Sequence, residues 1–166
     1  MSAPSVLLLV PTTSYRLDDF RAAAKRLGVP LLVGSDLCHR VDELFLERED
    51  QVSLDYRRPD RAAEQIQDLA RARPIRGIVP ASDATAVIAA LAAERLGAPH
   101  NPPAAARRTA NKHAMRLALA AAGLPTPRFA LQTVADDPER IAAATAYPCV
   151  LKPLLFSASR GVIRAD

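Results

Sequence analysis

The chain has 166 residues, enough for one ordinary domain or for one small domain plus part of another. Its net charge is only +4, Trp is absent and seven residues are Phe or Tyr, so there is no aromatic platform on which a nucleic acid could stack. No apolar run approaches the ~18 residues of a membrane span, residues 1–10 lack a basic leader, and Cys38 and Cys149 make neither a metal spacing nor a disulfide framework. These features predict a cytoplasmic protein with buried thiols and neither membrane nor nucleic-acid partners.

Residues 5–10 (Ser-Val-Leu-Leu-Leu-Val) form a continuous apolar run, the pattern of a strand covered on both faces. Pro11 to Tyr15 form the following loop, and Leu17, Phe20, Ala24 and Leu27 are spaced as one face of a helix that closes at Gly28. Residues 30–34 and 51–56 read as a second and a weaker third strand. Residues 61–73 read as a helix, with Ala62, Ile66 and Leu69 on one stripe, and residues 75–80 as a fourth strand. An alanine-rich helix over 84–96 ends at Gly97. This order of strands and helices predicts an α/β fold, a Rossmann-like parallel sheet flanked by helices.

At Gly97-Ala-Pro-His-Asn-Pro-Pro103 the pattern breaks, since three prolines in five residues cannot continue a helix. We expect a boundary there, with domains at 1–101 and 102–166. Beyond it the spacing predicts helices over 104–110 and 112–122, the second capped by Asn111 and ended by Gly123. A strand is predicted over 129–134, a helix over 138–144 with Pro138 in its first turn, and strands over 148–155 and 162–165 joined as a hairpin. This second part reads as mixed α+β.

Nineteen of the 22 basic residues are Arg, and 33 alanines accompany them, as in a GC-rich genome that writes surface cations as Arg. A lysine that persists against that bias invites a chemical reason. Lys25, near a helix end, reads as solvated surface. Lys152 would share a strand face with Val150 and Leu154, where an ammonium is costly unless an anion is bound or the side chain reaches water. The following Ser157-Ala-Ser159-Arg160-Gly161 offers hydroxyls, a guanidinium and free amides that can wrap phosphate oxygens, although an ordinary hairpin also favours Ser and Gly. Lys112 lies in the first turn of its helix, where a cation opposes the helix dipole by about 0.3–1 kcal/mol and a bound phosphate would reverse the sign.

Ser82 and Asp83 follow the fourth strand, at the carboxyl edge where such sheets bind ligands, and either one serves equally as a helix cap. Thr12, Thr13, Ser14 and Tyr15 share that edge. No Gly-x-Gly-x-x-Gly follows Val10, which argues against a nicotinamide-binding dehydrogenase. His39, His100 and His113 show no ligand spacing, so no metal site is assigned.

Asn111-Lys112 at a helix start, Gly123-Leu-Pro-Thr-Pro127, Tyr147-Pro-Cys-Val-Leu-Lys-Pro153 and the hairpin ending Arg160-Gly-Val162, all behind a Rossmann-like domain, resemble the N-terminal portion of ATP-grasp ligases. That superfamily includes biotin carboxylase, carbamoyl-phosphate synthetase and D-alanine–D-alanine ligase. The resemblance implies a pre-ATP-grasp domain over 1–101 and an incomplete first ATP-grasp lobe over 102–166, truncated at Asp166. It implies that Lys112, Lys152, Ser157, Ser159, Arg160 and Gly161 contact ATP. The loop departs from the family pattern in holding one glycine where several are common, and Arg160 is expected to compensate by charge.

The implied reaction converts a carboxylate and ATP, with Mg²⁺, to an acyl phosphate that an amine, thiol or bicarbonate then attacks. The magnesium ligands are expected in the missing C-terminal part, and no catalytic residue is assigned here. The expected partners are ATP and a small carboxylate, with Ser82 and Asp83 on the substrate side, and the exposed apolar faces of an incomplete lobe allow a homodimer. By this reading the piece alone is inactive. The alternative is a non-catalytic nucleotide-binding or assembly module with the same fold.

Overall fold

Strand β1 (Ser5–Leu9) carries Leu7, Leu8 and Leu9, each exposed by 1 % or less, and the first hundred residues are built around it. In the computed structural model it lies between β2 (Leu31–Ser35) and β4 (Ile75–Pro80), and β3 (Gln51–Ser53) extends the sheet beyond β2. The order is β3-β2-β1-β4 and every pairing is parallel, with Val6 opposite Leu31 and Leu7 opposite Leu32 and Ile78. Residues 3–12, 14, 16–36 and 50–166 are described; Thr13, Tyr15, Cys38 and His39 lie outside them.

Alternation along β1 sends its side chains into two separate cores. Leu7 and Leu9 meet Ala62, Ala63 and Ile66 of α2 (Pro59–Ala72) and Ile88 and Ala92 of α3 (Asp83–Leu96). Leu8 and Val10 pack with Val33 against Leu17 and Phe20 of α1 (Leu17–Leu27). Each fully buried leucine contributes about 1.5–3 kcal/mol, so these side chains fix which face each helix covers. The alanines of α3 let it lie close to both β4 and α2, and the buried Thr85 donates its hydroxyl to Ser82 O at 2.9 Å.

Gly34 in β2 is required by crowding. A Cβ there would stand 2.7 Å from Leu54 Cδ1 and 2.9 Å from Leu9 Cδ2. The strand expected over 51–56 stops at Ser53 because the chain turns, and the Tyr56 hydroxyl donates to Gly34 O at 2.6 Å. Burial, and secondarily the Asp36 carboxylate, push that phenol far above its ordinary range.

Contacts divide the chain into two units, Met1–Arg107 and Arg108–Asp166, with α4 (Pro103–Ala110) running through the division. Ala106 is buried, and Arg107 reaches Asp60 at 3.2 Å within the first unit.

In the second unit α5 (Lys112–Ala121) starts where Asn111 accepts from the His113 and Ala114 amides at 3.0 and 3.1 Å. Asp137 caps α6 (Pro138–Ala144) in the same way through the Glu139 amide. β5 (Cys149–Leu151) and β6 (Ile163–Ala165) pair antiparallel, with Leu151 opposite Ile163. Both strands are shorter than their apolar runs, because Pro148 and Pro153 flank β5 and have no N–H to give a ladder. Residues 129–134 form no strand; among the described residues no strand lies beside them to accept their hydrogen bonds, and Val134 is fully exposed. No described residue of this unit is fully buried. Among the described residues no helix is long and apolar enough to cross a membrane.

Gly34→Ala is expected to cost about 1–3 kcal/mol in urea denaturation, through displacement of Leu54 and Leu9. Asn111→Ala removes both cap bonds and is expected to lower stability at the start of α5 by about 1 kcal/mol, read as roughly fivefold faster hydrogen exchange of the His113 and Ala114 amides.

Candidate functional site

Two places hold the side chains singled out by the sequence. The first is the carboxyl edge of the parallel sheet. Because β2 lies on one side of β1 and β4 on the other, the strand order reverses between β1 and β4, a switch point where sheets of this type bind ligands. Thr12 follows β1, and its amide donates to Asp36 Oδ1 beyond β2 at 2.8 Å. The Ala81 amide beyond β4 donates back to Leu9 O at 2.9 Å. Ser82 caps α3: its amide donates to Thr85 Oγ1 at 3.3 Å, completing a capping box, and Asp83 opens the helix. Local bonding therefore accounts for Ser82.

The second place lies within Arg108–Asp166. Lys112 is the first residue of α5, and its amide donates to Leu154 O at 3.2 Å. Its ammonium turns onto the same stretch, donating to Phe156 O at 2.5 Å and to Leu154 O at 3.3 Å. Two carbonyls thus supply the electron density that the helix N-terminus denies to a cation. The third ammonium hydrogen is left over.

The loop from Phe156 to Gly161 is tightly turned. Ala158 and Ser159 have φ of 54° and 57°, and the Arg160 amide donates to Ser157 O at 3.3 Å, as in a turn whose two central residues are left-handed. Left-handed backbone costs a residue with a Cβ roughly 1–2 kcal/mol, so this single-glycine loop holds strain that a glycine-rich one would not. Gly161 also has positive φ, and a Cβ there would meet Pro153 Cγ at 2.9 Å, which makes it the one loop position closed to any other residue type on both counts. The Arg160 guanidinium lies 5.1 Å over the Phe156 ring, with Nε donating to Ser157 O at 3.4 Å.

Lys152 differs from expectation. It follows the end of β5 and is exposed, and the half-exposed Val150 does not bury it, so the desolvation argument made for a strand lysine does not apply. The cause is Pro153, which ends the ladder and lets the chain turn toward α5. No described residue pairs with the Lys152 ammonium. Ser157 and Ser159 contribute carbonyls to the loop turns, through bonds from the Arg160 and Val162 amides, and their hydroxyls take no part in these bonds.

By the resemblance to ATP-grasp ligases, Phe156 is only the first residue of the loop that runs to Gly161. The structure gives it two further attachments, its carbonyl under Lys112 and its ring under Arg160. The four-residue spacing from an aromatic to an arginine across a turn was the available signal. Of the described histidines, His100 Nδ1 lies 2.9 Å from Ala98 O, and His113 packs edge-on to Phe129. Among the described residues no three His, Cys, Asp or Glu side chains converge as metal ligands.

Comparison with known proteins bears on this geometry. Residues 20–100 match the model of the ATP-grasp N-terminal domain. An uncharacterized protein of Sinorhizobium fredii (strain NBRC 101917 / NGR234) is 28 % identical over 157 residues, 94 % of this chain and 33 % of its own length. An L-amino acid ligase from Bacillus licheniformis superposes over 100 % of this chain and 40 % of its own, with a TM-score of 0.73 at 24 % identity. The biotin carboxylase domain of the Hydrogenobacter thermophilus 2-oxoglutarate carboxylase, a dimer in complex with MgADP, ADP and bicarbonate, superposes over 96 % of this chain and 37 % of its own, with a TM-score of 0.61 at 21 % identity. The chain thus spans about a third of that curated relative's length. Residues 20–100, with their parallel sheet flanked by helices, thus match the ATP-grasp N-terminal domain.

Proposed function

We propose that this chain supplies the N-terminal part of an ATP-dependent carboxylate ligase, and that Lys112, Lys152 and the loop Phe156–Gly161 form one side of its nucleotide clamp. The observation that carries this reading is the meeting of Lys112 with the loop: a cation at a helix N-terminus reaches the backbone of a tight turn. Such an arrangement suits a polyphosphate, which replaces carbonyl oxygens around the ammonium with charged ones. The unpaired Lys152 ammonium, Arg160 and the hydroxyls of Ser157 and Ser159 add further donors, and Gly161 lets the loop lie close to the strand side.

In the proposed reaction a carboxylate oxygen attacks the γ-phosphorus of ATP, ADP leaves, and an acyl phosphate forms. An amine, or a thiol or bicarbonate, then displaces phosphate. Lys112, Lys152 and Arg160 stabilise the charge on the transferring phosphoryl group, which is the main protein contribution to such transfers. Magnesium would shield the phosphates, and no ligand for it is assigned to these residues. Ser82 and Asp83, at the carboxyl edge of the sheet, are proposed for the carboxylate side, with Ser82 also serving as cap. The named ligase and carboxylase neighbours support this reaction class. The domain division is proposed at residue 101, a cytoplasmic location is proposed, and the piece alone is proposed not to turn over.

Half-exposed apolar residues such as Val150, Leu151, Leu155 and Ile163 leave the second unit with surface that a homodimer would cover. A second reading, a nucleotide-binding or assembly module without catalysis, is favoured by one observation: two backbone carbonyls already accept from the Lys112 ammonium.

Lys152→Ala tests the clamp directly, because among the described residues that ammonium holds no structural bond. In the complete protein the substitution is expected to weaken ATP binding roughly tenfold or more by calorimetry, the weight of a charged hydrogen bond, with no change in thermal stability. Unchanged ATP affinity would contradict the clamp. Lys112→Ala is expected to lower both affinity and stability, since it also removes the ammonium bonds to the Leu154 and Phe156 carbonyls.

A further inference from the structure

Phe156 holds a position that neither its residue type nor the loop composition explains. It is 53 % exposed, a poor place for a large aromatic side chain kept only for packing. Its carbonyl accepts from the Lys112 ammonium at 2.5 Å, and its ring carries the Arg160 guanidinium at 5.1 Å. One residue therefore joins the helix cation to the loop cation. The Arg160 Nε is engaged by Ser157 O at 3.4 Å, and among the described residues its two terminal nitrogens hold no partner. Ring and carbonyl thus fix the plane of the guanidinium while leaving the Nη edge open. That edge has the fork geometry that binds two oxygens of one phosphate.

We propose that Phe156 is a positioning residue for the nucleotide: its ring orients Arg160 so that the Nη edge faces a phosphate, at the spot where Lys112 holds the Phe156 backbone. The inference rests on the clamp reading above and adds a specificity to it. A glycine-rich loop closes by moving, whereas this loop, with one glycine and left-handed Ala158 and Ser159, presents a pre-set cation. Pre-orientation lowers the ordering cost of binding without adding a contact to the ligand.

The test uses the chain with ATP as the probe and reads two observables. In nuclear magnetic resonance the Arg160 Hε and Hδ signals of the free chain are expected to be displaced by the Phe156 ring current. Phe156→Leu, which keeps apolar bulk without a π face, is expected to abolish that displacement, and Phe156→Tyr to retain it. In ATP titrations Phe156→Leu is expected to weaken binding about two- to fivefold, the range of an exposed cation–π contact, with rescue by Phe156→Tyr. In an Arg160→Ala background Phe156→Leu is expected to have no further effect.

Absence of the ring-current displacement in the unsubstituted chain overturns the proposal. So does an equal loss on Phe156→Leu in both backgrounds, which would mean that the ring acts through packing alone. If Arg160→Ala weakens ATP binding while Phe156→Leu does not, the Phe156 inference falls and the clamp stands. If Arg160→Ala, Lys112→Ala and Lys152→Ala all leave ATP binding unchanged, both fall together.

Discussion

An ammonium group at the first residue of a helix faces four backbone N–H groups and the positive end of the helix dipole, so it needs oxygen atoms from elsewhere in the chain. Lys112 finds them in Leu154 and Phe156, more than forty residues further on. Much of the second unit depends on this tie. Residues 108–166 contain no fully buried side chain among those described, so apolar burial does little to fix the loop against α5. The polar connection does so, through the Lys112 amide on Leu154 O and the ammonium on Phe156 O. The Lys112 ammonium, proposed above for phosphate, thus holds the loop against α5.

The two units solve the folding problem differently. In the first, Leu7, Leu8 and Leu9 are buried on alternate faces of a parallel sheet, and α1, α2 and α3 are placed by the side chains they must cover. The result is a rigid edge at which the residues after β1, β2 and β4 meet, with Thr12 bonded to Asp36 and Ala81 bonded to Leu9. In the second, caps, turns and one short ladder define the structure, and its large apolar side chains are left half exposed.

Much of the first unit was legible in the sequence because burial leaves a periodic signature. The runs at 5–10 and 75–80 and the spacing of Leu17, Phe20 and Leu27 led to β1, β4 and α1 with ends correct to within a residue. The caps at Asn111 and the stop at Gly97 were equally plain, since few residue types do those jobs. The second unit was less legible for a physical reason. Its apolar runs at 129–134 and 148–155 have strand composition, but a strand exists only where a neighbour takes its hydrogen bonds, and composition does not report neighbours. Lys152 was misplaced on a strand face for the same cause. The Lys112 tie joins residues forty-two and forty-four positions apart and accepts at backbone carbonyls, which every residue has, so no side-chain pattern announced it. The role of Phe156 was hidden likewise, because half of it is a carbonyl.

With only three lysines in the chain, the side-chain resonances of Lys25, Lys112 and Lys152 can be followed one by one as ATP is added. If Lys112 and Lys152 form one side of a nucleotide clamp, both sets of Cε–Hε signals shift saturably while Lys25, on α1 in the other unit, stays in place. Signals of Lys112 and Lys152 that remain fixed at millimolar ATP, or that move no more than those of Lys25, would contradict the account.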